Sequence, residues 1–417
     1  MKVFSRILAL TGSIALLSLS ACANHEPIIT QQEKRVEINL SWWGTDARNR
    51  YTIQAVEIFE EKYPNIKVNC SYSEWSGYEE RSKIQMRSNT EADVMQINFS
   101  WLSQYSEDGE GYYDINDLKN FKISNFSDDI LEYGIKNDHL NAIPIAMNAE
   151  TVYINQDIYD KYGLDIPHTW DDLFKSSEVM KKDGIYAMSG ASKSIWLYLI
   201  AYTEQVCGKK IIENNKLNFT AENFQIMIDF YKELVDKSVI PQLEHYDSKE
   251  IAKGTYAGSI AWVSDATNYF GTMIEDGINI ITADYTTLDG NNVGEGWYAK
   301  PATMYAISKN TQYPEEAGLL LDFLMNSSEM AELQGVEKGI PLSNSAKKTI
   351  EKNYMLYGIQ YEASQKMEGC QLAELPPVLE NNDLIDDFFS ACNDVIYDKA
   401  TSEDSAKSLC IKIAEYF

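Results

Sequence analysis

Two adjacent tryptophans, Trp42 and Trp43, are followed at once by Gly44 and shortly afterwards by Asp46 and Arg48. An indole offers a flat apolar face, a carboxylate accepts hydrogen bonds, and a guanidinium donates several from a rigid fork. Neighbouring residues of a strand point to opposite faces, so only one indole can face a given core. The segment therefore predicts one core tryptophan and one tryptophan that meets a polar ligand beside the acid and the base.

The elements around this segment predict a parallel α/β sheet. The spacing of β-branched, aromatic and other apolar residues predicts, in order, strand 36–43, helix 51–62, strand 66–70, helix 78–89 and strand 93–97. Ligands of such sheets meet the loops beyond the carboxyl ends of the strands. The segments 43–48 and 98–101 lie at those positions.

The rest of the sequence also predicts strands and helices. Later predictions are an extended stretch at 139–159, a helix with Thr169 as N-cap, helix 224–234, strand 256–263, strand 304–308 and helix 314–325. No internal repeat or long linker separates them.

Length and composition narrow the class of protein. A chain of 417 residues with 44% hydrophobic residues can form two domains, each with its own core. Its 27 tyrosines and 8 tryptophans suit half-exposed surfaces that bind polar ligands. The formal charge of −27 argues against nucleic acid as a partner, because no basic stripe is available to neutralise phosphates.

The first residues predict export. A short basic start is followed by an apolar stretch at 7–19, which is too short to favour a membrane-spanning helix, and then by Ser20, Ala21 and Cys22. This order resembles the lipobox of bacterial lipoproteins, which implies that residues 1–22 are a signal peptide and that Cys22 is lipidated. A plain cleavage site that happens to contain cysteine is the alternative. We expect residues 23–35 to be a tether and the protein to be lipid-anchored on the outer face of the bacterial cytoplasmic membrane.

Cysteine and histidine usage predicts neither a metal site nor a cofactor. The cysteines beyond Cys22 are odd in number and form no CxxC pair: Cys70, Cys207, Cys370, Cys392 and Cys410. A disulfide among the last three stays open. The four histidines are scattered, so their spacing suggests no metal cluster.

A series of motifs runs in one order through most of the mature chain. They occupy residues 41–48, 59–68, 92–98, 143–157, 163–173, 258–262, 306–309, 314–317 and 339–341. Their order resembles that of the extracytoplasmic sugar-binding proteins of ABC transporters, the class that includes maltose-binding protein. Each motif alone is weak, and their order behind a lipobox makes the resemblance specific.

The resemblance implies an α/β protein with the two-lobed fold of periplasmic binding proteins, each lobe a mainly parallel sheet flanked by helices. The implied N-terminal lobe comprises 36–145 and 302–335, and the C-terminal lobe 146–301 and 336–417. The chain would then cross between the lobes near 144–148, 300–303 and 334–339. A monomer of this kind, not an enzyme, would hold a sugar or oligosaccharide in the cleft between the lobes and deliver it to a membrane permease.

A carbohydrate site needs flat aromatic rings that stack on the C–H faces of the sugar. It also needs planar polar groups that form hydrogen bonds with pairs of hydroxyls. On this basis we assign Trp43 to the cleft and Trp42 to the core of the first lobe, although alternation alone does not decide between them. The implied ligand-binding residues are Trp43, Asp46, Arg48, Trp75, Tyr78, Asn98, Trp101, Asn148, Trp196, Asp265, Asn268 and Trp297.

Structural roles compete with several of these assignments. Asp46 and Arg48 could form an ion pair that caps the first helix, and Trp75 and Tyr78 could cover the end of the sheet. Trp196 could belong to the buried face of a helix. We expect Trp262 to lie in the core of its strand.

Two positions relate to the predicted crossings. Trp297 is flanked by glycines near the second crossing, which favours a ligand-facing indole. Asn148 stands at the first crossing, where the maltose-binding relative carries an acidic ligand, so its neutral amide leaves the type of sugar open.

Two other classes of function remain open from the sequence. A secreted glycoside hydrolase would also combine cleft aromatics with carboxylates, although no hydrolase motif is present. A receptor for a peptide, a polyamine or a metal is the alternative within the receptor class. Arg48 in the predicted cleft disfavours a polyamine.

Overall fold

The computed structural model describes residues 35–291, 293–370 and 372–417. The predicted signal peptide, Cys22 and nearly all of the tether lie outside these residues. No helix in the described ranges combines the length and the apolar character needed to cross a membrane. Cys70, Cys207, Cys370, Cys392 and Cys410 are free thiols.

The described residues form strands of 2 to 14 residues, and the two longest have 14 and 10 residues. They are β1 (Val36–Trp43), β2 (Ile66–Ser73), β3 (Val94–Ile97), β4 (Ile135–Lys136), β5 (His139–Leu140), β6 (Ala142–Asn155), β7 (Ile212–Glu213), β8 (Lys216–Leu217), β9 (Gly258–Trp262), β10 (Ile280–Thr282), β11 (Tyr298–Ile307) and β12 (Ala373–Glu374).

Helices cover the sheet and supply most of the residues of one of the large hydrophobic cores. They are α1 (Asp46–Lys62), α2 (Trp75–Ser88), α3 (Ser100–Tyr105), α4 (Asp128–Glu132), α5 (Gln156–Tyr162), α6 (Trp170–Met180), α7 (Ser192–Cys207), α8 (Ala221–Asp236), α9 (Ala266–Glu275), α10 (Pro314–Asn326), α11 (Ser328–Gln334), α12 (Asn344–Lys352), α13 (Ile359–Glu368), α14 (Asn382–Ile396) and α15 (Ser402–Ile413). Short 3-10 turns link several of them, including Val263–Asp265 and Pro377–Glu380.

The main sheet has the order β10-β6-β11-β3-β1-β2, with β9 paired to β6 and β12 to β11. β1 runs parallel to β2 and β3, which confirms the predicted parallel arrangement. The long strand β6 pairs antiparallel with β11 over residues 142–149 and antiparallel with β9 and β10 over residues 150–155, so this part of the sheet is not the mainly parallel one that the resemblance implied. β6 and β11 therefore join two parts of the sheet.

Each part of the sheet has its own hydrophobic core. One core gathers apolar residues of β1, α1 and α10, including Leu40, Phe59 and Leu321. Another gathers residues of α7, α8 and α14, including Trp196 and Phe224. The fold is the predicted α/β class, with helices flanking a central sheet.

A helix cap explains why the start of α1 differs from its prediction. α1 begins at Asp46, before the predicted start at residue 51, because the Thr45 side chain accepts a hydrogen bond from the Arg48 amide at 3.4 Å and caps the helix. The predicted cap at Thr169 is confirmed. It forms a reciprocal capping box with Asp172.

Candidate functional site

A cleft of about 340 Å³ lies beside the shared strands β6 and β11 and receives residues from both parts of the sheet. This volume is typical of small-ligand sites. The lining residues are Trp43, Arg48, Trp75, Asn98, Asn148, Lys193, Trp262, Ser264, Asp265, Lys300, Ala302, Thr303, Lys338 and Glu380. Six predicted binding residues are among them: Trp43, Arg48, Trp75, Asn98, Asn148 and Asp265.

Two wider hollows, of about 540 and 650 Å³, open elsewhere on the surface. Neither is lined by a tryptophan among the described residues. Asn268 is exposed and lines the larger hollow. That hollow shares Asp265 with the cleft, so Asn268 lies next to the cleft but does not line it. Unlike these two hollows, the cleft combines indoles with amides, carboxylates and cations, and we assign the functional site to it.

The two adjacent tryptophans lie on opposite faces of β1, as the alternation of strand side chains requires. Trp42 is fully buried in the core with α1, stacks on Tyr72 at 4.8 Å and donates from Nε1 to Asn49 Oδ1 at 2.9 Å. Trp43 points to the other side and lines the cleft. The structure therefore places the two indoles as assigned from the sequence.

Trp43 belongs to an aromatic cluster at the wall of the cleft. Its ring centroid lies 4.9 Å from that of Trp75, 5.3 Å from Tyr78 and 6.5 Å from Trp101. Trp75 is 37% exposed and Trp43 9%, whereas Tyr78 and Trp101 are 1% and 2% exposed. The arrangement presents Trp43 and Trp75 to the cleft.

The predicted placement of Tyr78 and Trp101 in the cleft is corrected by this geometry. The Tyr78 hydroxyl donates to the Gln96 carbonyl at 2.7 Å, and its ring stacks on Trp101 at 6.0 Å. Since the hydroxyl of a buried tyrosine needs such a partner, Tyr78 is directed toward the sheet. Both rings support Trp43 from behind.

Arg48 lies in the cleft, but its partner is not Asp46. Its Nε is 2.9 Å from both carboxylate oxygens of Glu337, and the Tyr51 hydroxyl donates to the same carboxylate at 3.0 Å. Asp46 is exposed in the first turn of α1 and does not line the cleft. Residues two apart on a helix do not face each other, which explains why the predicted acid–base pair does not form.

The amides of the site are fixed by local hydrogen bonds. Asn148 of β6 donates to Ser264 Oγ at 3.0 Å and accepts from the Ser264 amide at 3.1 Å, which ties β6 to the turn after β9. Asn98 Oδ1 accepts from the amide and the hydroxyl of Ser100 at the start of α3, each at 3.0 Å. The Asn98 amide group remains able to donate to a ligand.

Asp265, the last residue of this turn, lines the cleft, and its carboxylate has no hydrogen-bonded partner in the described ranges. Burial raises its pKa, while the charges of Arg48 and Lys300 act in the opposite direction. An ionised carboxylate of this kind accepts hydrogen bonds from hydroxyl groups.

Residues that the sequence reasoning missed complete the opposite wall. Lys300 of β11 forms an ion pair with Glu380, and its ammonium group lies 4.7 Å from the centre of the Trp262 ring. Lys193 approaches the same carboxylate at 3.5 Å. Trp262 is therefore a cleft residue, which corrects its assignment to the strand core, because β9 ends there and leaves its ring half-exposed.

Trp196 and Trp297, predicted for the cleft, lie in the second core. Trp196 is fully buried, and its Nε1 donates to the Leu379 carbonyl at 3.0 Å. Trp297 packs 4.7 Å from the Tyr285 ring. Gly296 has φ +77°, and a Cβ there would lie 2.7 Å from the Ala201 carbonyl oxygen. Gly296 therefore allows the loop to pack closely on α7, and it has no role in contacting a ligand.

Glu150 is a buried carboxyl behind the cleft. Its Oε1 accepts from Ser194 Oγ at 2.9 Å, while Oε2 is buried without a partner in the described part of the chain. Burial raises the pKa of Glu150 to about 8, and the charge of Asp265 adds to the rise against the effect of the Ser194 hydrogen bond. The carboxyl is therefore mainly protonated at neutral pH.

This carboxyl should make the stability of the protein depend on pH. Between the ordinary pKa of a glutamate and about 8, the folded chain holds a proton that the unfolded chain has lost. The free energy of unfolding should therefore fall as pH rises through this window, by up to about 1.4 kcal/mol per pH unit for one proton. Glu150→Gln should reduce that slope, measured by denaturant unfolding from pH 5 to 8. The exposed Glu61→Gln is the control, and an equal slope in Glu150→Gln would contradict the assignment.

Comparisons with known proteins agree with this geometry. Residues 43–331 match the family described as bacterial extracellular solute-binding protein. A protein of Pyrococcus horikoshii, described as an uncharacterized ABC transporter extracellular-binding protein, is 22% identical over 92% of this chain and 87% of its own length.

Solved structures show the same fold. A periplasmic solute-binding protein from Pectobacterium atrosepticum has a TM-score of 0.85 and 26% identity, covering 91% of this chain and 98% of its own. A periplasmic oligogalacturonide-binding protein from Yersinia enterocolitica, solved with saturated digalacturonic acid, has a TM-score of 0.81 and 28% identity with the same coverage. The chain belongs to the bacterial extracellular solute-binding proteins, the ligand-binding components of ABC transporters.

Proposed function

We propose that this protein binds a sugar or oligosaccharide in the cleft and delivers it to the permease of an ABC importer. The cleft itself carries the proposal, because it sets the indoles of Trp43 and Trp75 against amide, carboxylate and guanidinium groups. Aromatic faces stack on the C–H surfaces of sugar rings, and planar polar groups bind pairs of hydroxyls. The structural neighbour from Yersinia enterocolitica, a saccharide-binding protein, supports this class of ligand.

Ligand binding would act by closing the two lobes. The predicted lobe bounds, 36–145 with 302–335 and 146–301 with 336–417, place the indoles of Trp43 and Trp75 on one lobe and Trp262 on the other. A ligand that touches both walls favours the closed form by its difference in affinity for the two states.

Helix contacts suggest a later third crossing than the predicted one near 334–339. α12 packs against α10 and α11, whereas α13 packs against α9, β6 and β10. Ala331, Ala346 and Ile350 form a small core between α11 and α12. The third crossing of the proposed lobes then lies between α12 and α13, at residues 353–358.

The N-terminal lipobox supports attachment to the membrane. A lipidated Cys22 would hold the receptor, as a monomer, near its permease. Cys22→Ser should move the protein from the membrane fraction to the soluble extracytoplasmic fraction and abolish incorporation of a labelled fatty acid. Unchanged labelling of that variant would contradict the anchor.

A thermal-shift panel of neutral and acidic mono- and oligosaccharides tests the proposed ligand class. A sugar at 100 times its Kd should stabilise the native state by about 2.7 kcal/mol and raise Tm in a dose-dependent manner. The sugar should be recovered intact by chromatography after prolonged incubation. Cleavage products would indicate a hydrolase, and a response to peptides or spermidine without any response to sugars would indicate another receptor class.

A further inference from the structure

The cleft is rich in cations although the chain as a whole is strongly acidic. Four of its lining side chains are cationic and two are carboxylates, whereas the formal charge of the chain is −27. The four cations are Arg48, Lys193, Lys300 and Lys338. They come from separate parts of the chain, so no basic run in the sequence marks them.

The four cations outnumber the carboxylates that pair with them. Arg48 is occupied by Glu337 through both carboxylate oxygens. Lys193 and Lys300 share a single oxygen, Oε1 of Glu380. One carboxylate therefore serves two ammonium groups on this wall.

Lys338 has no carboxylate within ion-pair distance in the described ranges, and it is only 2% exposed. Its Nζ donates to Gln96 Oε1 at 3.1 Å and to the Tyr305 hydroxyl at 3.3 Å. An ammonium group has three N–H donors, so one is left for the cleft that Lys338 lines. The adjacent Glu337 carboxylate is engaged by Arg48 and Tyr51 instead.

A buried cation without a counter-charge is unfavourable, and a bound anion would relieve that cost. Resting on the proposed function, we propose that the cleft selects a saccharide that carries a carboxylate, such as a uronic acid, over its neutral counterpart. Lys338 and Lys300 supply the charge that makes this selection, while Trp43 and Trp75 receive the sugar ring.

The charges around Lys338 support this assignment. Burial, with a further contribution from the charge of Arg48, lowers the pKa of Lys338 to about 7, and Glu337 opposes the change. A bound carboxylate would restore the charged form. Among the described residues, Lys338 is the cleft cation without a carboxylate partner, and a single negative charge matches it, which favours a carboxylate over a phosphate monoester carrying about 1.5 to 2 charges.

Calorimetric titration with digalacturonic acid and its dimethyl ester tests the selection, because the ester keeps the rings and removes the charges. The acid should bind at least about ten-fold more tightly than the ester, since charge-assisted hydrogen bonds are about twice as strong as neutral ones. Lys338→Met and Lys300→Met should each reduce the ratio of the two affinities, and higher salt should reduce it as well. Lys338→Met should still fold, because methionine fills the space without a buried charge.

The exposed Lys348→Met removes the same charge outside the cleft and should leave the ratio unchanged. Equal affinity for acid and ester, or an unchanged ratio in both cleft variants, would overturn the inference. Tighter binding of glucose 6-phosphate than of glucuronate would overturn the assignment of a carboxylate. Binding of neutral sugars without any preference for acids overturns this inference alone, whereas no response to any sugar overturns the proposed function as well.

Discussion

Trp42→Ala should lower the free energy of unfolding by about 3–5 kcal/mol, the range typical of a fully buried large aromatic residue. Its indole is packed in the core with α1, and the substitution would also leave Asn49 Oδ1 without its donor. Urea unfolding followed by circular dichroism measures the change. The affinity of the folded variant for sugar should stay within about two-fold of the parent, because Trp42 lies away from the cleft wall.

Trp42→Phe is the matched control for this variant. It keeps an aromatic ring in the core and loses the Nε1 hydrogen bond, which contributes about 1 kcal/mol. It should therefore be clearly more stable than Trp42→Ala. An unchanged urea midpoint for Trp42→Ala, or a loss of affinity without a loss of stability, would show that the two indoles have the opposite roles.

Trp75→Ala should weaken sugar binding about 10- to 30-fold, which corresponds to about 1.4–2 kcal/mol for the loss of an aromatic contact at the centre of a site. Trp75 faces the cleft and is 37% exposed, so its removal should cost the fold much less than the removal of Trp42. Calorimetric titration with the sugar that gives the largest thermal shift measures the effect.

Tyr313→Ala is the matched control, since Tyr313 is 38% exposed and does not line the cleft. Its affinity should equal that of the parent protein. An equal loss in both variants would indicate a general effect on the fold, and unchanged affinity in Trp75→Ala would remove the indole from the site.

Local pattern located the elements around β1, although the helices α1 and α2 begin before their predicted starts. The strand predicted at 36–43 and the helix predicted at 314–325 were located within a residue, and the strand after Pro64 began where predicted. The types and spacing of their apolar residues are local properties of the sequence, so a short window predicts them. The alternation in β1 also required the two indoles to separate, but the choice between them depended on which face α1 covers.

Charged residues of the site were harder to predict than aromatic ones. The sequence placed Arg48 beside Asp46, yet helix geometry directs Arg48 to Glu337, which lies far along the chain. Lys300 and Lys338 fall in segments predicted as crossings between the lobes, but no pattern around them or around Lys193 predicted a cationic cleft. Their association depends on three separate segments that meet only in the folded protein.

The sequence by itself determined the parallel arrangement around β1, the resemblance to solute-binding proteins, and the separation of Trp42 from Trp43. These follow from side-chain periods and motif order, which are local properties. Only the tertiary structure decided that Trp196 and Trp297 are core residues, that Trp262 is a cleft residue, and that the cleft collects cations. Burial and charge pairing arise from contacts between distant segments, so neither can be read from neighbours along the chain.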